Sequence, residues 1–216
     1  SFPDNGLFVR TTPSDILASE AIAQVIEQTG VVETSIAYPD DPFGRSFVAE
    51  VRRSLSVQGI SIIAEVAYDT TTADFAPIAE QLTADPNRVI TLIGDSESGG
   101  RLLNSLLDTK SANKIIVNDA LSQVDLSSNA NLDSDMRQKV VGIAVDAFAG
   151  TDAENKASVP AFAAAVVDCV NLIALAAIAS KSDIADEFIA QVPAVSRGGS
   201  VCSLFDDCLA LLKQSL

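Results

Sequence analysis

Acidic and hydroxyl-bearing side chains gather in four short stretches of this sequence: Pro39–Gly44, Asp69–Asp74, Gly94–Gly99 and Asn118–Gln123. None contains a lysine, and Arg45 is counted as the one basic side chain near them. A crevice lined in this way attracts a positive group and repels a phosphate. Asp95 and Asp119 stand out. A carboxylate at the end of a strand can pair with a ligand ammonium through a charge-assisted hydrogen bond, which is stronger than a neutral one. Aspartates in such places also cap the helix that follows, and both roles stay open here. Ser96 adds a hydroxyl beside Asp95. Phe43, next to Gly44 at the start of a helical pattern, is either a core residue or an apolar wall of the crevice.

Other chemistries fit these residues poorly. Gly94-Asp95-Ser96-Glu97-Ser98-Gly99 carries serine at position 98 where a nucleophile elbow needs glycine. The loop also fails the dinucleotide fingerprint and the P-loop pattern. A helix N-terminus opened by such a loop can still bind an anion, for instance a ligand carboxylate, through its backbone N–H groups. The chain has no histidine, which removes Ser-His and Cys-His hydrolysis and His-ligated metal sites. Asp40 and Asp41 with Asp95 and Asp119 could suggest magnesium in a receiver-type site. Such a site also wants a lysine at a late strand end, and none stands at Asn118 or Asp146. No cofactor is expected.

Cys202 and Cys208 are six positions apart. A bond between them would contribute about 2–2.5 kcal/mol in the chain-entropy model and would imply an oxidising compartment. Two separate buried thiols are the other reading. Cys169 stands among apolar neighbours and reads as a buried free thiol.

The elements that position these residues follow from periodicity. Strand-like runs cover Thr34–Tyr38, Ile60–Tyr68, Arg88–Ile93, Lys114–Val117 and Val140–Val145. Helical patterns separate them at Phe43–Val57, Phe75–Leu82 and Arg101–Leu107, and Gly59 stands where a C-terminal cap belongs. Tyr38 and Tyr68 read as strand residues packed under helices. Strands alternating with helices indicate βαβ units, and near-continuous apolar strands fit a parallel sheet covered on both faces. The fold class is therefore α/β, an open doubly wound parallel sheet. In such sheets ligands bind outside the carboxyl ends of the strands, where the four acidic stretches fall.

The two ends of the chain differ from this pattern. Ser14 can cap a helix over Asp15–Gln28. After Gly150 only helical patterns remain, at Val159–Ser180, Asp183–Gln191 and Ser203–Leu216, the last with Ser203 as its cap. The apolar stretch Ala161–Ala179 is interrupted by Asp168 and Asn171 and reads as a buried helix rather than a membrane span.

The balance of 14 basic against 29 acidic side chains gives a net charge of −15 over 216 residues. That disfavours nucleic acid and anionic membrane surfaces as partners. A hydrophobic share of 48% with 20% charged residues argues against global disorder. The chain opens at Ser1 without a basic leader or cleavage motif, so its start reads as a processed or trimmed end.

Several segments, in order, resemble a known family. Phe8-Val9-Arg10-Thr11-Thr12-Pro13-Ser14-Asp15 resembles the "F-R-T-x-P-S-D" segment of the extracytoplasmic solute-binding proteins of ABC transporters, type I periplasmic-binding fold. Ala37–Gly44 is similar to that family's strand ending in an acidic pair and an aromatic-glycine. Thr72–Phe75 is similar to its "T-D-F" step, and Val167–Leu172 to its "Y-D-A-V-N-L" helix. Ser196–Gly199, followed by Cys202 and Cys208, resembles a variant with paired cysteines. The group most similar binds branched-chain amino acids or amides.

The resemblance implies a piece lacking most of the first lobe. Residues 1–29 would be an inter-lobe segment and crossover helix, 30–146 the second lobe, and 150–216 helices belonging to the first lobe. It implies a non-enzymatic receptor that holds an amino acid or similar small polar solute between two lobes and delivers it to a membrane permease, outside the cytoplasm. Phe43 would be the aromatic ligand contact, without the hydroxyl of the tyrosine often found there. Asp95 and Ser96 would lie near a second contact, and Asp119 would pair with the ligand amino group. The C-terminal helices would bury their apolar faces elsewhere, as in a homodimer. A ligand-sensing receptor of the same fold is the alternative, and a flavodoxin-like or receiver-type enzyme the second alternative.

Overall fold

The computed structural model describes residues 6–122, 124–126, 134–144 and 162–215. The chain forms two compact units, Pro13–Asp146 and Ser1–Thr12 with Ala147–Leu216.

The larger unit is built on five parallel strands, β1 (Glu33–Pro39), β2 (Ser61–Tyr68), β3 (Val89–Leu92), β4 (Ile115–Val117) and β5 (Val140–Gly142). Their order in the sheet is β2-β1-β3-β4-β5. Helices α1 (Asp15–Gln28), α2 (Pro42–Val57), α3 (Ala76–Thr83), α4 (Ser98–Asp108), α5 (Asp119–Ser122) and α6 (Ser134–Gln138) flank it. Alternation along each strand divides its side chains between two buried layers. Ile36, Val89 and Ile116 pack with Ile22 and Ile26 of α1 and Phe47, Val51 and Leu55 of α2. Ala37, Ile90, Leu92, Ile115 and Val117 pack with Ala79 and Leu82 of α3 and Leu102, Leu103 and Leu106 of α4. A sheet covered on both faces explains why the central strands are buried at nearly every position, with Thr34, Ser35 and Thr91 the buried polar exceptions. β2 is an edge, and its exposure alternates. Arg52 of α2 pairs with Glu65 of β2, and the Tyr38 hydroxyl donates to the same carboxylate. The Arg52 hydrogen bond holds the Glu65 carboxyl below its ordinary range, against the upward pull of burial.

The boundaries follow local chemistry. Gly30 and Gly59 end α1 and α2 with positive φ, a conformation glycine adopts without steric cost. Asp41 caps α2, accepting from the Gly44 N–H at 2.7 Å, and Pro42 opens the first turn. Ser14 occupies the cap position of α1, but its hydroxyl makes no capping bond; its carbonyl accepts from Leu17 and Ala18 instead. Tyr38 and Tyr68 are both buried. The run expected to reach Val145 ends as a strand at Gly142, and residues 145–161 lie outside the described set.

The smaller unit is helical: α7 (Ala163–Ser180), α8 (Ala185–Phe188), a 3₁₀ turn (Ile189–Gln191), α9 (Val192–Ser196) and α10 (Phe205–Ser215). The Thr11 hydroxyl donates to the Ala165 carbonyl at 2.8 Å and ties the N-terminal segment to α7. Two expectations are corrected here. Helix α10 begins at Phe205, and the Leu204 carbonyl, not Ser203, receives its first amide, from Cys208. Helix α7 is not a buried helix within the described residues. Only Leu175 and Ala176 are buried, whereas Val166, Val167 and Val170 are 61%, 56% and 61% exposed. Its neighbours cover the region of Leu175 most fully, much of the remainder is partly buried, and residues 166–168, 170 and 173 are exposed. α7 is long and apolar enough to span a bilayer by length and composition, but Asp168 and Asn171 in mid-helix weigh against that use.

The tips of β3 and β4 are joined by a side chain. Asn118, 1% exposed, accepts from the Gly94 N–H at 3.0 Å and donates its amide to the Gly94 carbonyl at 3.0 Å. Replacing it by alanine strands a buried donor and a buried acceptor, each worth about 1–3 kcal/mol. Asn118→Ala should lower unfolding stability by about 2–4 kcal/mol, measured by urea denaturation; a loss under about 0.5 kcal/mol would contradict the bridge.

Candidate functional site

The parallel sheet sends four loops out from the same edge, after β1, β2, β3 and β4. They are the four acidic stretches. After β1, Asp40 pairs with Arg45 in the open, and Asp41 is used as the α2 cap. Phe43 extends from the first turn of α2. It is 45% exposed, with its ring centroid 5.7 Å from that of Phe47. It is therefore not a core residue. Gly44 beside it admits no side chain, because a Cβ there would stand 2.0 Å from the Pro39 carbonyl oxygen.

After β2, Asp69 accepts from the amide and hydroxyl of Thr71, which hold its carboxyl below the ordinary range. Arg101, from α4, reaches this loop and donates to the Thr72 and Thr70 carbonyls at 2.6 and 2.9 Å. Its guanidinium carbon lies 5.1 Å from the centre of the Phe75 ring. Arg45 is therefore not the one basic group at this edge. Arg101 is the functional-edge residue that sequence reading missed. Its reach depends on where the first turn of α4 sits against a loop about 30 positions earlier, which no local pattern encodes.

After β3, Gly94 and Gly99 pack against each other so closely that a Cβ on Gly99 would lie 2.9 Å from the Gly94 Cα. The loop between them closes on Asp95. One carboxylate oxygen accepts from the amides of Glu97 and Ser98 at 2.7 and 2.6 Å; the other accepts from the Ser98 hydroxyl at 2.9 Å. Burial alone would raise this carboxyl, but bonds from Ser98, Glu97 and Gly99 outweigh it and hold it below its ordinary value. Asp95 thus serves its own turn. Ser96 is exposed at the loop surface. Below it, the Tyr68 hydroxyl donates to the Ile93 carbonyl at 3.0 Å, and burial pushes its pKa up.

After β4, Asp119 opens the four-residue helix α5, where no immediate helix was expected. Its Oδ1 accepts from the Ala120 amide at 2.8 Å and from the Asn118 side chain at 3.3 Å. Among the described residues no hydrogen bond reaches its other oxygen, and the residue is half-buried. Phe43, Ser96 and Asp119 thus follow three neighbouring strands, with no hydrogen bond or ion pair linking them among the described residues. No group of three or more His, Cys, Asp or Glu among the described residues is arranged to hold a metal.

In the helical unit, Cys202 and Cys208 form a disulfide with Cα atoms 5.3 Å apart, and Cys169 is a free thiol, partly exposed rather than buried.

The model of the receptor family ligand binding region matches residues 2–196. The chain belongs to that family. This ligand-binding region has the type I periplasmic-binding fold, the fold its sequence motifs resemble. No curated protein matches it. Among solved structures it is similar to an ABC transporter solute-binding protein from R. palustris in complex with 4-hydroxybenzoate. The TM-score is 0.64 at 16% identity, over 84% of this chain and 54% of that one. The chain therefore spans about half the length of that structure. The family model and this neighbour are both described by ligand binding.

The Asp95 turn has a pH signature. Its folded pKa is depressed, so its contribution is whole above the ordinary carboxylate value near 4 and is lost as pH falls through the lower folded value. The gap in thermal midpoint between the wild type and Asp95→Ala should stay constant from about pH 7 to 5 and narrow below about pH 4. A gap unchanged at about pH 2.5 would contradict this role.

Proposed function

We propose that the α/β unit is the second lobe of an extracytoplasmic solute-binding protein. It takes the ammonium end of an amino acid, or a similar small polar solute, at the carboxyl edge of its sheet. Asp119 carries the reading. It is a half-buried carboxylate at a strand tip, with one oxygen committed to its own turn and the other without a hydrogen bond among the described residues. On the same edge the exposed Phe43 ring would supply an apolar wall, and Ser96 a hydroxyl. Asp95 contributes field rather than a direct contact, because both its oxygens serve the turn. An edge this acidic favours an amine over a free carboxylate. The R. palustris neighbour binds 4-hydroxybenzoate, an anion at neutral pH, so a different solute is proposed here.

In this reading the helical unit belongs to the first lobe, and the solute passes to an ABC permease in the membrane. The Cys202–Cys208 disulfide supports a location outside the cytoplasm. The description of the family as a receptor region favours ligand sensing as the second reading. Co-purification with permease subunits would distinguish transport from sensing.

Titration calorimetry of the protein with leucine, other amino acids, aliphatic amides and 4-hydroxybenzoate tests the ligand class. An amino acid or amide should give heat and 4-hydroxybenzoate none. Asp119→Asn should weaken an amine-bearing ligand tenfold or more, about 1.4 kcal/mol. Unchanged affinity would remove Asp119 from the site.

A further inference from the structure

All three cysteines of the chain line one cavity. It lies within the helical unit, has a volume of about 740 Å³, and includes Cys169, Cys202 and Cys208 in its walls. The free thiol of Cys169 stands on α7, Cys208 stands on α10, and these two helices pack against each other. Cys202 lies outside any helix, in the segment between Gly198 and Phe205, beside Val201, which is 98% exposed. A thiol and a disulfide that open onto the same cavity meet the access requirement for exchange.

We propose that Cys169 and the Cys202–Cys208 disulfide form an intramolecular thiol–disulfide switch. The Cys169 thiolate attacks Sγ of Cys208, a Cys169–Cys208 bond forms, and the Cys202 sulfur leaves as thiolate and takes a proton from water. One S–S bond breaks and one forms, so no oxidant or reductant is consumed. Cys208 is the sulfur attacked because its helix lies against that of Cys169. Cys202 is the leaving group because its segment is held by no helix. The exchange moves the covalent tie from a six-residue loop to a staple between α7 and α10 across the cavity. The longer loop so closed restricts the unfolded chain more. The charged side chains lining the cavity are Arg10, Asp168 and Arg197.

The protein, purified without reductant, is incubated at several pH values, quenched in acid with N-ethylmaleimide and mapped without reduction by mass spectrometry. The wild type should carry label on Cys202 as well as Cys169, in a fraction that grows with pH, together with a linked peptide pair containing Cys169 and Cys208. Cys169→Ser, checked for folding by circular dichroism, should leave Cys202 and Cys208 unlabelled. Label confined to Cys169 at every pH would overturn the switch. A Cys169–Cys202 pair would overturn the assigned attack, and linked pairs whose yield rises with protein concentration would show exchange between molecules instead.

Discussion

The candidate site depends on the pairing of Asn118 with the main chain of Gly94. Parallel strands leave no hairpin to fix one loop against the next, so the tips of β3 and β4 need another tie. A primary amide supplies it, matching the N–H and C=O of one residue with its own donor and acceptor in a buried setting. The bridge sets the loop that carries Asp95 and Ser96 beside the residue that precedes Asp119. The tight Gly94–Gly99 approach holds the same loop from its other end.

Most of the negative charge at this edge is already engaged. Asp41 caps α2, Asp69 and Asp95 close their own turns, and Asp40 pairs with Arg45. These carboxylates give the edge its field, and of them Asp95 alone, among the described residues, has both oxygens bound in its turn. Arg101 adds a positive charge and spends it on the carbonyls of the β2 loop. Asp119, like Asp41, is half-buried and has one oxygen bound in its own turn. An acidic edge with several carboxylate oxygens free among the described residues and an exposed phenyl ring is the surface that the proposed amine-bearing solute would meet.

The fold was legible because its signals were local and repeated. Ile115-Ile116-Val117 is apolar at every position because both faces of β4 are covered, and β3 reads nearly the same way, broken only by Thr91. The span Asp15–Gln28 follows from helical period alone, even though the hydroxyl of Ser14 takes no part in its cap. What failed was what depends on distant neighbours. The apolar surface of Ala163–Ser180 says that the helix has area to bury, not how much of it the described residues cover; they bury fully only Leu175 and Ala176. Asp95 was readable as cap or ligand contact, since both demand the same residue in the same place; only the positions of the Glu97 and Ser98 amides assign it to the turn. Arg101 and the clamping role of Asn118 were invisible for the same reason, each acting on a loop more than 20 positions away.

The central claim is that a small amine-bearing solute docks at the carboxyl edge of the β1–β4 sheet. Amide chemical-shift mapping on ¹⁵N-labelled protein, titrated with the solute found to bind, tests it most directly. The account predicts that the largest shifts fall on residues 40–45, 94–98 and 118–121, with the opposite edge of the sheet unmoved. Shifts gathered in the helical unit, or spread evenly over the chain, would contradict it.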